Sequence, residues 1–203
     1  MITLYITRHG ETVWNTEKRM QGRLDSKLTE KGERNALALG KRLKDVELTA
    51  IIASPSGRTR DTAELIRMGR DIPVYYEEKL MEIHMGEWEG QVQSAIQKND
   101  PLGFELFWNK PHLFEPAGGE TFEEMRARVL KALREIEQNF ESGNILIVTH
   151  AVVIKCLFSI FNNVGLKNLW DPPFIHDTSL TIVEADNHTY KIVLAGDLAH
   201  RAM

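Results

Sequence analysis

One cysteine, Cys156, is all that the 203 residues contain. That scarcity excludes an internal disulfide framework and a cysteine-rich zinc site, and it fits a reducing compartment. Long apolar runs are missing as well. Stretches such as Ile145 to Val148 are far too short to span a bilayer. Met1 to Tyr5 shows no basic segment followed by an apolar stretch, so no signal peptide is visible and the expected location is the cytoplasm. No strong excess of one charge exists either: 25 Lys and Arg stand against 29 Asp and Glu, a net charge of −4. This balance argues against a chain that coats nucleic acid or an anionic membrane, yet it leaves room for a small basic pocket. What is present is 42% apolar and 27% charged residues, the composition of a folded chain with a sizeable core. With no repeat, low-complexity stretch or linker, the length predicts one domain over residues 1–203.

The element pattern is that of an α/β chain. Ile2 to Ile6 is a β-prone run that stops at Arg8-His9-Gly10-Glu11, and a polar loop continues to Leu28. Thr29 is an expected N-cap for a helix to about Lys44, with Ala36, Leu39, Gly40 and Leu43 inward. Ile51-Ile52-Ala53 reads as a buried strand that breaks at Ser54-Pro55-Ser56-Gly57, before a helix carrying Ala63 and Ile66. Pro73 to Tyr76 is a further strand. Residues 86–119 mix Gly, Pro and aromatics with weak periodicity and are expected to form a partly helical insertion. Phe122, Met125, Val129, Leu133, Ile136 and Phe140 then mark the clearest helix, with Thr121 and Glu124 as its capping box. Ile145 to Val148 is expected to be a strand covered on both faces, Val152 to Phe161 a helix, and 180–194 a closing hairpin. Together these predict a three-layer α/β/α sandwich with a largely parallel central sheet.

In such folds ligands collect at the carboxyl ends of strands, beside helix N-termini. Three strands deliver unusual residues there: Arg8 and His9 after the first, Arg58 soon after the Ile51 strand, and His150 directly after the Ile145 strand. Two arginines and two histidines converging on one sheet edge describe a dianion pocket, with arginine forks for phosphate oxygens and histidine as donor or nucleophile.

Arg8-His9-Gly10-Glu11-Thr12 with Asn15 resembles the signature of the histidine phosphatase superfamily, the phosphoglycerate mutase-like family. Further matches follow in order: Leu28-Thr29-Glu30-Lys31-Gly32; Ser54-Pro55-Ser56-Gly57-Arg58 with Thr62-Ala63; Glu82-Ile83 with Gly86-Glu87-Trp88-Glu89-Gly90; Gly118-Gly119-Glu120-Thr121; and Val148-Thr149-His150. The bacillus-type broad-specificity phosphatase branch is the nearest in pattern. Mutases carry an extra basic segment, whereas 86–119 holds only Lys98 and Lys110 as full cations, beside Phe104, Phe107, Trp108 and Phe114. These aromatics are packing residues on the plain reading, and an apolar cap over a variable leaving group on the functional one. One departure stands out: the family usually has Gly after its second histidine, and this chain has Ala151, which is tolerable only at a φ that Ala adopts.

The resemblance implies His9 as nucleophile, with Arg8, Arg58 and His150 holding the phosphoryl oxygens, Asn15 adding a hydrogen bond, and Glu82 as general acid and base. Ala151 would present a backbone amide to phosphate. No cofactor and no metal are implied, the arginines taking the place of a cation, and the expected partner is a small-molecule phosphate ester. Gln21 and Arg23 follow the first motif and are candidates for substrate contact. His84, His112, His176, His188 and His200 lack metal-ligand spacing and read as structural or exposed. Cys156, among Val152, Val153 and Ile160, reads as a buried, inert thiol. Rival readings are a cofactor-dependent phosphoglycerate mutase and a non-catalytic module that binds phospho-ligands.

Overall fold

The computed structural model of the chain describes residues 1–202. Its strands are β1 (Ile2–Arg8), β2 (Leu48–Ala53), β3 (Val74–Tyr76), β4 (Gly143–Thr149), β5 (Leu180–Asp186) and β6 (Thr189–Asp197). Its helices are α1 (Val13–Thr16), α2 (Glu30–Arg42), α3 (Gly57–Arg67), α4 (Gln93–Asn99), α5 (Pro101–Asn109), α6 (Phe122–Asn139) and α7 (Ala151–Phe161). One six-stranded sheet has the order β3-β2-β4-β1-β5-β6. Strands β1 to β4 pair in parallel, while β5 joins β1 and β6 joins β5 antiparallel.

Strand periodicity builds the layers. On β2 and β4 the side chains alternate between faces, as a pleated backbone requires. Ala50, Ile52, Ile145 and Ile147 pack with α6 and α7 residues such as Met125, Val129 and Val153. Ile51, Ala53, Leu146 and Val148 face the other way, onto Ala36 and Leu39 of α2 and Ala63 and Ile66 of α3. The unbroken run Ile145–Val148 is fully buried because both of its faces are covered. Thr121 and Glu124 form the expected reciprocal capping box of α6. The hairpin turns at Asn187 and His188, both at positive φ, a conformation suited to a two-residue hairpin loop.

Three features depart from the sequence reading. Helix α2 ends at Arg42, two residues early. The loop before Leu28 contains α1, whose own capping box joins Thr12 and Asn15. The insertion resolves into α4, α5 and short 3-10 turns at Gly86–Trp88 and Pro111–Leu113. Its aromatic core is shared among these pieces: Trp88 lies 5.0 Å from Phe114 and 5.7 Å from Phe107, measured between ring centroids.

Topology then sets the position of a site. After β1 the chain crosses to β2 through α2 on one face; after β4 it leaves through α7 on the other. The carboxyl ends of adjacent β1 and β4 therefore flank a switch point, where a crevice opens.

Candidate active site

Strand register alone brings the two histidines together. Arg8 is opposite Thr149 across the β1–β4 ladder, and the His9 amide donates to the Thr149 carbonyl at 2.9 Å. The His9 and His150 rings meet edge to face at 5.4 Å between centroids. Next door, the Ser54 amide donates to Val148 O at 3.0 Å, so β2 delivers Ser54, Ser56 and then Arg58 to the same edge. The Gly10 loop is pressed against the start of α2: a Cβ on Gly10 would lie 2.8 Å from the Gly32 carbonyl, and one on Gly32 would lie 2.2 Å from Glu11 O. Only glycine permits that approach.

Hydrogen bonds fix the protonation pattern of each ring. His9 Nδ1 lies 2.7 Å from the Gly10 carbonyl, which can only accept, so the proton sits on Nδ1 and Nε2 keeps its lone pair. Burial, then the Arg58 and Arg8 charges, hold His9 well below its usual pKa. His150 is the reverse tautomer. Its Nδ1 accepts from Arg58 Nη2 at 3.0 Å, which leaves Nε2–H to donate to Ser54 Oγ at 2.8 Å. Burial first, and Arg58 second, keep this ring neutral too.

Arg58, 1% exposed, is caged. Its Nη1 donates to Leu24 O at 2.7 Å and Asp25 Oδ1 at 2.8 Å, and its Nη2 donates to Gly22 O at 2.8 Å as well as to His150. The fork expected to clasp phosphate is thus engaged by protein acceptors. What remains is its Nε–H, buried and without a partner; the Nε–H of Arg8 is in the same condition. Arg8 is steadied from behind, donating from Nη1 to Ile175 O at 3.0 Å. Buried donors of this kind are costly unless something fills the space before them.

Glu82, 7% exposed, sits across from these cations. Its Oε1 accepts from the Ile83 amide at 3.0 Å and its Oε2 from the Val152 amide at 3.2 Å. The second donor is one of the unpaired N–H groups at the start of α7. Burial raises the carboxyl pKa and outweighs those hydrogen bonds and the two arginine charges. The segment bearing Glu82 is held by Arg128 of α6. That guanidinium donates to the carbonyls of Lys79 and Met81, both at 2.7 Å, and of Glu82 at 3.2 Å. Its Nε donates to Glu120 Oε2 at 2.9 Å, while Glu120 Oε1 receives the His84 amide at 2.9 Å.

A cavity of about 400 Å³ joins these groups. Arg8, His9, Asn15, Gln21, Arg58, Glu82 and Ala151 all line it, whereas Arg23 does not and instead pairs with Glu120 at 3.5 Å. His150 is fully buried behind this lining. Of the insertion aromatics, Phe107 and Trp108 reach the cavity, and Phe104 and Phe114 pack behind them. Asn15 Oδ1 is engaged by Thr12, so its amide group is the end available to a ligand. Ala151 opens α7 and is not among the residues at positive φ, which removes the steric objection to its methyl group. Sequence reasoning missed Asp25, Arg128 and Lys155. Their signals are contacts with residues far away in the chain, and no local pattern marks them.

The region 4–198 matches the model of the histidine phosphatase superfamily, branch 1. The chain belongs to this superfamily. YhfR of Bacillus stearothermophilus is 50% identical, with a TM-score of 0.96 and 98% and 99% of the two chains covered. A "Probable phosphoglycerate mutase GpmB" of Salmonella choleraesuis is 36% identical over 160 residues, 78% of this chain and 74% of the relative. The mycobacterial glucosyl-3-phosphoglycerate phosphatase Rv2419c is 25% identical, with a TM-score of 0.88 and 97% and 99% coverage. Elsewhere in the chain, burial pushes the Cys156 thiol up to about 12, making it inert near neutrality. Among the described residues no helix is long and apolar enough to cross a membrane.

Proposed function

We propose that this cleft hydrolyses small-molecule phosphate monoesters through a phosphohistidine on His9, without a metal ion, in the cytoplasm. The observation that carries the reading is the tautomer of His9. Its Nδ1–H is tied to Gly10 O, and its Nε2 lone pair is free beside two arginines whose Nε–H groups lack partners. Fixed positive charge there stabilises the equatorial oxygens as they spread in the transition state. His9 Nε2 attacks phosphorus, the ester P–O bond breaks, and the departing oxygen takes the proton from the Glu82 carboxyl. Water then gives its proton to the Glu82 carboxylate and its oxygen to phosphorus, the P–N bond breaks, and phosphate leaves. A carboxyl with a raised pKa suits the first half, and one group serves both halves. In the arrangement seen, His150 acts through Arg58 and Ser54, and it touches phosphate directly only if the ring exchanges Ser54 for a substrate oxygen.

Phosphoryl return to a second hydroxyl, as in a mutase, is the second reading, supported by the name of the Salmonella relative. Against it, the insertion brings only Gln93, Phe107 and Trp108 to the cavity, so the extra basic segment of the mutases has no counterpart there. The cations beyond the phosphate end, Arg19 and Lys155, come from other parts of the chain. The test is His9→Ala, assayed with aryl and alkyl phosphates in the presence of a chelator. Wild type is expected to keep full activity and release inorganic phosphate, with base-stable, acid-labile phosphate trapped on the protein. The variant is expected to lose at least about 10³-fold with an unchanged circular dichroism spectrum. Activity above a few per cent in the variant, or its loss in chelator, would overturn the reading.

A further inference from the structure

The cavity continues beyond the phosphate end along α7, and its far wall carries a cation that the proposed reaction does not use. Lys155 lines that wall and is only 5% exposed. It stands four residues after Ala151, hence on the same face of α7 and about 5–6 Å further along. Its ammonium donates to the carbonyls of Asp171 and Pro173, which leaves one of its three N–H groups without a partner among the described residues. No carboxylate neutralises it at ion-pair distance among those residues. Around it stand Trp108, Trp170, Pro172 and Phe174, and Phe174 is 72% exposed, a large apolar face left open on the cleft.

We propose that Lys155 and these walls form a leaving-group subsite for aromatic alcohols that carry a carboxylate, so that the preferred esters are phosphorylated aromatic hydroxy acids. The inference rests on reading the cleft as a phosphate-ester site. A flat ring matches the indole and phenyl walls, and burying it covers the open face of Phe174. One unpaired N–H and one positive charge match a monoanion. A second dianion would leave uncompensated buried charge, and a neutral aryl group would leave Lys155 unpaired. The low-polarity walls strengthen the ion pair relative to one at the surface.

Calorimetry on the full-length protein with two non-hydrolysable ligands tests this without turnover. The pair is benzylphosphonate and 3-carboxybenzylphosphonate, in which a methylene replaces the ester oxygen. Wild type is expected to bind the carboxylate at least about tenfold more tightly, Lys155→Met to bring that ratio within threefold of one, and Lys155→Arg to restore it in part. A wild-type ratio below three overturns the subsite. So does a ratio that survives Lys155→Met, because a lysine that only braces the 170–175 loop lowers both affinities together. If neither ligand binds, the phosphate-site reading itself fails; if both bind equally, only the subsite does.

Discussion

At Glu82, burial and hydrogen bonding pull in opposite directions, and burial wins. A carboxyl whose pKa is raised in this way is a better proton donor near neutrality, which is useful where the departing oxygen is a strong base and superfluous where it is a weak one. Glu82→Gln is therefore expected to cost about 10²–10³-fold in kcat with alkyl phosphates and less than about tenfold with nitrophenyl phosphate. Equal losses across leaving groups, read from steady-state kinetics, would contradict the acid role. Asp25 makes a different kind of contribution. Its side chain is 42% exposed, so its ion pair with Arg58 is worth little as stability in itself. It does, however, accept from both the Nη1 and the backbone amide of Arg58, which fixes where Nε points. Asp25→Ala is expected to raise KM by about tenfold for every ester while leaving the relative rates of alkyl and aryl esters alone. An unchanged KM would show that Gly22, Leu24 and His150 hold the guanidinium unaided.

Segments matter as carriers of these residues, and the Glu82 segment is the least regular of them. It has only a 3-10 turn, Glu78–Leu80, before the carboxyl, so ladder hydrogen bonds do not hold it. Arg128 takes over that role by binding three of its carbonyls, with Glu120 locking the guanidinium, and Thr149 Oγ1 adds a bond to Leu80 O at 2.7 Å. Arg128→Lys keeps the charge but cannot reach all three acceptors. It is expected to reproduce the leaving-group signature of Glu82→Gln in weaker form, with a loss of about tenfold on alkyl esters and little on aryl esters. A uniform loss would mean that the fold at large had loosened. These same segments show why some of the molecule was legible in the sequence and some was not. Ile145–Val148, the α6 stripe and the Thr121–Glu124 box announce themselves because one element holds the whole pattern. Helix α1 is four residues long, shorter than any period can register. In the insertion, Trp88, Ile96, Phe107 and Phe114 come from separate short elements that bury one shared cluster, so no single spacing appears. The arginines and histidines were legible through motif order, but the acidic partner of Arg58 was not, since Asp25 lies 33 residues away in the chain.

Across the whole molecule, the pattern of buried imidazoles sets how stability responds to acid. His9 and His150 are held well below their ordinary pKa by burial and the two arginines, and burial with Arg42 and Arg201 brings His200 down to about 4. In the unfolded chain each ring takes up a proton near pH 6.5, whereas in the fold each stays neutral until the medium is far more acidic. Between those limits the unfolded state binds more protons, so stability falls as the pH drops through about 6.5. Glu82 works in the other direction, because its raised carboxyl is relieved on acidification towards 4.5. Asp61, raised by partial burial and by the charge of Asp25, adds to it in the same direction, so two carboxyls stand against three rings. The carboxylates of Glu120, Asp177 and Asp197 lie below their ordinary values, so their stabilisation persists throughout this window and is lost only in stronger acid. The midpoint of thermal unfolding is therefore expected to fall by about 5 °C or more from pH 7.5 to 5.0 at fixed ionic strength, since about 1 kcal/mol moves Tm by ~2–4 °C in a chain of this size. His200→Gln, neutral at every pH, should narrow that drop whatever its own midpoint at pH 7.5. Differential scanning calorimetry of the two proteins decides it: a wild-type midpoint that is level or rising towards pH 5.0 would mean that the buried rings take up protons without loss of the fold.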